Sequence, residues 1–263
     1  MPDLPTVHTL WIGSSLGPLA RACLKSFLAV GHPVILHVYE NMPDVPAGIE
    51  LRDASETLSR DRLFRHRKGS ISPFADVFRY RLLRNGAELY ADCDVYCLRP
   101  IPRADYIFGL QDDSIINNAV LALPADSSLL ATLISITEQP HFVPPWLPRS
   151  KRWRLALSSR ARIRRLPAAL PWGSLGPNAL THYAKRLGVH HLALPVDVFY
   201  PVSPGCSSLL CDPELSIEDL VTPRTRCIHL WNEVLRRRMP HIPRSSPLGR
   251  ILALRADVQL NAA

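Results

Sequence analysis

Asp92-Cys93-Asp94 sets two carboxylates two residues apart, just past a short apolar run from Glu88 to Ala91. If the chain turns there, both can face one ligand. Hard oxygen donors on a short rigid segment suit Mg²⁺ or Mn²⁺, ions that keep open positions for water and substrate phosphates. Such a cation can neutralise a diphosphate leaving group without any proton transfer. An isolated Asp-x-Asp is weak by itself, because most such pairs are turn residues. Upstream lies Ser72-Pro73-Phe74-Ala75-Asp76-Val77-Phe78-Arg79-Tyr80. On a helix, Asp76, Arg79 and Tyr80 share one face by their i, i+3 and i+4 spacing, which leaves Phe74, Val77, Phe78 and Leu82 for the core. That polar set reads either as an ordinary intrahelical ion pair or as a grip for sugar hydroxyls and a phosphate.

The elements that must position these residues alternate between strand and helix. Thr6 to Ile12 and Pro33 to Tyr39 are β-rich runs, and Leu16 to Val30 between them has helical spacing, stopped by Gly31. Ser72-Pro73 is a helix-start signal, with Ser72 as cap and Pro73 at the first position, for a helix to about Arg84 ended by Asn85-Gly86. Strands are expected at Glu88–Ala91, Asp105–Leu110, Asn118–Leu123 and Arg226–Leu230, and helices from Asp126, as cap, to Glu138 and from Gly176-Pro177 to about Leu187. This order predicts an α/β sandwich with a mostly parallel sheet. Ligands in such folds gather at the carboxyl ends of strands, where Trp11, Asp92 and Trp231 fall.

The 263 residues suit one domain, read as a half over 1–125 carrying the Asp-x-Asp and a half over 126–263. About half the composition is apolar and mean hydropathy is near zero, with no apolar run long enough to span a bilayer. The first residues lack a basic segment followed by an apolar core, so no signal peptide is expected. Six cysteines without a CxxC pair read as reduced thiols, which suits a cytoplasmic protein. The net charge is +8 and unevenly placed: no Asp or Glu occurs from Gln139 to Val196. Within that stretch Arg149, Lys151, Arg152, Arg154, Arg160, Arg162, Arg164 and Arg165 crowd into a proline-bounded segment, 140–171, that reads as an insertion or flap. Such a cluster suits anionic lipid headgroups, phosphates or nucleic acid, and a solvated basic helix without a partner is the plainer alternative.

The motifs together resemble glycosyltransferase family 32, the family of Och1-like mannosyltransferases and α-1,4-galactosyltransferases, whose core is shared with the large clostridial glucosylating toxins. Asp76-x-x-Arg79-Tyr80, Leu82-Leu83-x-x-Gly86 and Leu89-Tyr90-x-Asp92-x-Asp94-Val95 resemble its DXD sugar-binding region. His8-Thr9-Leu10-Trp11-Ile12-Gly13 is similar to the first strand, Asn117-Asn118-Ala119-Val120 to the strand after the DXD, Trp172-Gly173-x-x-Gly176-Pro177 to a WG-x-x-GP segment, and Ile228-His229-Leu230-Trp231-Asn232 to the C-terminal HLW motif. The resemblance covers nearly the whole chain in the family's order. It implies a GT-A-type fold and a retaining, Mn²⁺- or Mg²⁺-dependent transfer of a sugar from a nucleotide diphosphate. The expected route is front-face attack with the leaving diphosphate as base.

Residue by residue, the resemblance implies that Trp11, with Ile12 beside it, stacks on the nucleotide base. Asp76, Arg79 and Tyr80 would hold the donor sugar and diphosphate, Asp92 the donor and the metal, and Asp94 the metal. Asn118 would lie near the transferred sugar, His229 would complete the metal shell and Trp231 would touch the β-phosphate. A UDP-sugar is favoured over a GDP-sugar, because Trp11 resembles the uridine-binding tryptophan of the toxin group. Two departures stand out. Gly86-Ala87-Glu88 replaces the usual Gly-Gly before the DXD strand, and Cys93 takes a middle position whose side chain usually points away from the ligand. The setting implied is bacterial surface polysaccharide or glycolipid assembly, with peripheral contact to the inner membrane through Arg149–Arg165. Competing readings are a metal-dependent phosphohydrolase, a non-enzymatic nucleic-acid binder and a transferase that binds donor without turnover.

Overall fold

Val34–Val38 is buried at every position, which places it inside a sheet covered on both faces. The computed structural model describes residues 3–67, 69–160, 170–236 and 241–253, the side chains of 158–160 excepted. In chain order β1 (Val7–Trp11), α1 (Pro18–Ala29), β2 (Val34–Val38) and β3 (Ile49–Asp53) form a parallel start. Then come α2 (Ser72–Arg84), β4 (Leu89–Ala91), β5 (Val95–Cys97), β6 (Ile107–Leu110) and β7 (Ile116–Ala122). The remainder is α3 (Ser128–Glu138), α4 (Arg149–Arg160), α5 (Pro177–Arg186), α6 (Val196–Phe199), β8 (Cys227–His229), α7 (Asn232–Leu235) and α8 (Pro247–Ala253).

The main sheet has the order β3-β2-β1-β4-β7-β6, and β5 pairs antiparallel with β8 in a second, two-stranded sheet. Neighbours from β3 to β4 are parallel, while β7 runs antiparallel to both β4 and β6. This is the mostly parallel α/β sheet expected from the alternation, in keeping with a GT-A-type fold. One apolar core lies under α1 and α8 and reaches Leu230 and Trp231, and the other lies between α2, α3 and α5.

Local expectations hold with small shifts. The helix expected from Leu16 runs over Pro18–Ala29, since Pro18 supplies the first-turn geometry. Ser127, not Asp126, caps α3, its hydroxyl accepting from Leu130 N at 3.2 Å. Ser72 is the first helical residue of α2 and no side chain caps that helix. Nor is α2 amphipathic: nine of its residues are buried, Asp76, Arg79 and Tyr80 among them, so the polar face is enclosed as well. Gly86 (φ 94°) makes the left-handed exit from α2 that a side chain would resist, and Ala87 follows without needing it. The departure from Gly-Gly therefore leaves the entry to β4 intact.

The basic segment contains α4, while its residues 161–169, including Arg162, Arg164 and Arg165, and the side chain of Arg160 lie outside the described residues. Cys23, Cys97 and Cys227 are buried free thiols. Among the described residues no helix is long and apolar enough to cross a membrane.

Candidate functional site

β4 ends at Ala91, and the chain turns at once, with Val95 N bonding Asp92 O at 3.1 Å. Both carboxylates leave this turn on the carboxyl edge of the sheet. Cys93 points back to β1, its sulfur 3.0 Å from Thr9 Oγ1 and 3.4 Å from Leu10 O. Burial pushes that thiol up to about 12, so it is a structural tether rather than a nucleophile.

Asp94 is met by the end of β8. His229 Nε2 lies 3.1 Å from Asp94 Oδ1, and Asn232 N donates to Oδ2 at 3.0 Å. Trp231 adopts the left-handed conformation (φ 50°, ψ 49°), the single positive-φ residue other than glycine among the described residues, and this bend aims Asn232 N at Asp94. Donor atoms of Asp92, Asp94 and His229 all lie within 4.8 Å of one another, on half-buried carboxylates and a buried ring. His229 Nδ1 is buried without a hydrogen-bond partner. Two hard carboxylates and one imidazole suit Mn²⁺, with Mg²⁺ the poorer match to the nitrogen donor. Burial works against ionisation of Asp94, but the His229 ring and the Asn232 N–H outweigh it and hold the carboxyl below the usual range. For Asp92, burial and the like charge of Asp94 win over Arg79 and raise it.

Arg79 holds Asp92 in place. Its Nη2 and Nη1 fork onto Asp92 at 2.9 and 3.4 Å, Nη1 also donates to Asn118 O, and Nε donates to Ala75 O at 3.2 Å. The guanidinium lies 4.5 Å over the Tyr90 ring, and Tyr90 Oη donates to Asp92 Oδ1 at 3.1 Å. Sequence reasoning gave Tyr90 no role, although it adjoins the motif. With its donors taken up internally and the side chain enclosed, Arg79 is a positioning residue for Asp92.

Asp76 accepts from Asn118 Nδ2 at 2.8 Å, and Asn118 Nδ2 also reaches Tyr80 Oη at 3.5 Å. Tyr80 Oη in turn donates to Leu175 O at 2.8 Å. The Asp76 carboxylate rests on the backbone at the start of α5: a Cβ added at Gly176 would stand 2.7 Å from Asp76 Oδ2. That close approach gives a reason for glycine in the Trp172–Pro177 segment. Trp11, partly exposed at the end of β1, donates Nε1–H to Ser15 O at 3.1 Å, and Ser15 is tied to Asp44 at 2.9 Å, so the ring is anchored by its edge. Ile12 packs against the α2 core. Trp231 is buried and donates Nε1–H to Val202 O at 2.7 Å, with its ring centroid 4.0 Å from that of His229. In this arrangement it buttresses His229 and presents no N–H to a ligand.

Burial lifts Asp76 to about 6, against Arg79 at 3.7 Å and the Asn118 amide. Arg79 is the main opposing influence, but burial outweighs it. A folded pKa above the unfolded value of about 3.9 means that the native state keeps a proton that the unfolded chain has lost. This contribution is present at low pH and is lost as pH rises from about 4 to about 6, to the extent of about 3 kcal/mol. His8 and His37, lowered to about 4 by burial, act in the opposite sense over nearby pH. The prediction is therefore a difference. Urea-unfolding free energies of wild type and Asp76→Asn should diverge in favour of the variant between pH 4 and 6.5, and parallel pH profiles would count against a protonated buried Asp76.

No protein-family model matches the chain, and no curated protein matches it. Among solved structures it is similar to one titled "PaToxG Glycosyltransferase", at 10% identity and a TM-score of 0.44, over 70% of this chain and 68% of that one. A likeness this slight leaves that protein's activity with that protein.

Proposed function

We propose that the protein is a divalent-metal-dependent glycosyltransferase of the DXD type, moving a sugar with retention from a nucleotide diphosphate, a UDP-sugar before a GDP-sugar, to a glycan or lipid-linked acceptor. The observation that carries the reading is the convergence of Asp92, Asp94 and His229, with Asp94 and His229 135 positions apart in the chain, beside a buried Asp76–Asn118–Tyr80 cluster. The resemblance to glycosyltransferase family 32 assigns the same residues to the same site.

A Mn²⁺ ion held by Asp92, Asp94 and His229 would neutralise charge developing on the leaving diphosphate. The protein's own part is positional. Arg79 and Tyr90 fix the Asp92 carboxylate, the Trp231 bend fixes His229 and the Asn232 N–H, and the edge-anchored Trp11 keeps a ring face for a planar base. The resemblance assigns Asp76 and Asn118 to the donor-sugar side of the site, and their mutual bond at 2.8 Å fixes both behind it. A two-metal phosphohydrolase needs more ligands than this, and among the described residues no other group of three metal-binding side chains occurs. Bacterial surface polysaccharide or glycolipid assembly is the setting that the resemblance suggests.

The test is donor cleavage. The purified protein is incubated with Mn²⁺ and a panel of UDP- and GDP-sugars, and free nucleotide is followed. Release from one donor, abolished by EDTA, is the expected result. No release, together with no Mn²⁺-dependent donor binding by calorimetry, would sink the reading.

A further inference from the structure

Helix α4 stands out on the surface of the protein. Of its described side chains, 149–157, all but Leu155 are exposed. Trp153 is 67% exposed and Leu157 42%, and their spacing of four puts them on one face. Arg152 and Arg154 follow about 100° to either side of Trp153, so a narrow apolar stripe is framed by guanidinium groups. Alongside runs a shallow cleft of ≈ 700 Å³ lined by Val143, Arg149, Ser150, Arg152, Trp153 and Ala156. None of Arg149, Lys151, Arg152 and Arg154 meets a carboxylate among the described residues, and the sequence offers no acid from Gln139 to Val196 to neutralise them.

A basic helix that merely faces water has no use for an exposed tryptophan and leucine, whose hydration is unfavourable. Tryptophan and leucine flanked by arginine and lysine suit the boundary between headgroups and acyl chains, where long basic side chains reach outward to phosphates. Nucleic acid would use the charges and could stack on Trp153, but it has no use for Leu157. We propose that α4 is an interfacial helix that docks the protein on an anionic bilayer surface. Trp153 and Leu157 enter the headgroup layer, and Arg149, Lys151, Arg152 and Arg154 engage lipid phosphates. This docking stands apart from donor chemistry and holds whether or not the metal cluster turns over a nucleotide sugar.

The experiment is co-sedimentation of the full chain, without donor or metal, with phosphatidylcholine vesicles made with and without phosphatidylglycerol at near-physiological salt. Binding should require the anionic lipid. Each basic side chain at such a surface contributes about fivefold, so the triple variant Lys151→Glu, Arg152→Glu, Arg154→Glu should lose at least about 100-fold in partitioning. Trp153→Ser should lose about tenfold and keep the salt dependence. Both variants change exposed positions and should melt as wild type does. Equal partitioning to both vesicle types, or a triple variant that binds as wild type does, overturns the proposal. So does random-sequence duplex DNA that binds the chain while vesicles do not.

Discussion

Asp94→Asn is expected to lose Mn²⁺ binding and, with it, at least about 100-fold in donor cleavage. Replacing residues that only support a metal ligand already costs about 10- to 100-fold, and Asp94 offers a ligand atom directly. The isosteric amide keeps an oxygen for Asn232 N, now 3.0 Å from Oδ2, so the bend at Trp231 survives. What disappears is the negative charge facing His229 at 3.1 Å and the second hard anionic donor. Electron paramagnetic resonance of bound Mn²⁺ reads the metal and nucleotide release reads the chemistry. Unchanged Mn²⁺ affinity would move the metal away from Asp92, Asp94 and His229. A lost ion with intact cleavage would remove the metal from the reaction.

The second large effect is on stability. Arg79→Ala should cost about 3–5 kcal/mol, because it leaves buried carboxylates without their cation. Asp92 loses its fork at 2.9 and 3.4 Å, Asp76 loses a neighbour at 3.7 Å, and the carbonyls of Ala75 and Asn118 lose a donor. Arg79→Lys should recover only part of this, since one ammonium cannot satisfy a planar fork and two carbonyls together. Urea denaturation of both variants measures the effect. A cost below about 1 kcal/mol for Arg79→Ala would mean that the enclosed guanidinium contributes little, and that Tyr90 alone suffices to hold Asp92.

Much of the site was legible in the sequence because it is local. Asp92 and Asp94 share one turn, and the spacing of Asp76, Arg79 and Tyr80 is helical, so short-range geometry alone puts each set together. The strands β1 and β2 and the parallel start of the sheet follow from apolar runs joined by a helix of regular period. Composition likewise locates the basic segment, since no acid occurs from Gln139 to Val196.

Tertiary structure decided what depends on distant pairings. The antiparallel match of β5 with β8 is what carries His229 to Asp94, and no spacing along the chain encodes it. The Leu175–Gly176 segment that leads into α5 closes on α2 and makes Gly176 the floor under Asp76, and burial, not sequence, lifts that carboxyl to about 6. Periodicity assigned α2 one polar face toward ligand, but Tyr90, Asp92 and Asn118 at the strand ends and the Leu175–Gly176 segment enclose it and turn Arg79 into an internal brace. Trp231 reads as a ligand contact by motif, yet its indole N–H is taken by Val202. Trp153 reads like any tryptophan in the sequence, and only the fold leaves it 67% exposed. Residue type and local period fix which groups a segment can present. Whether a group meets solvent, a partner or a buried neighbour is set by contacts between segments that the chain brings together only on folding.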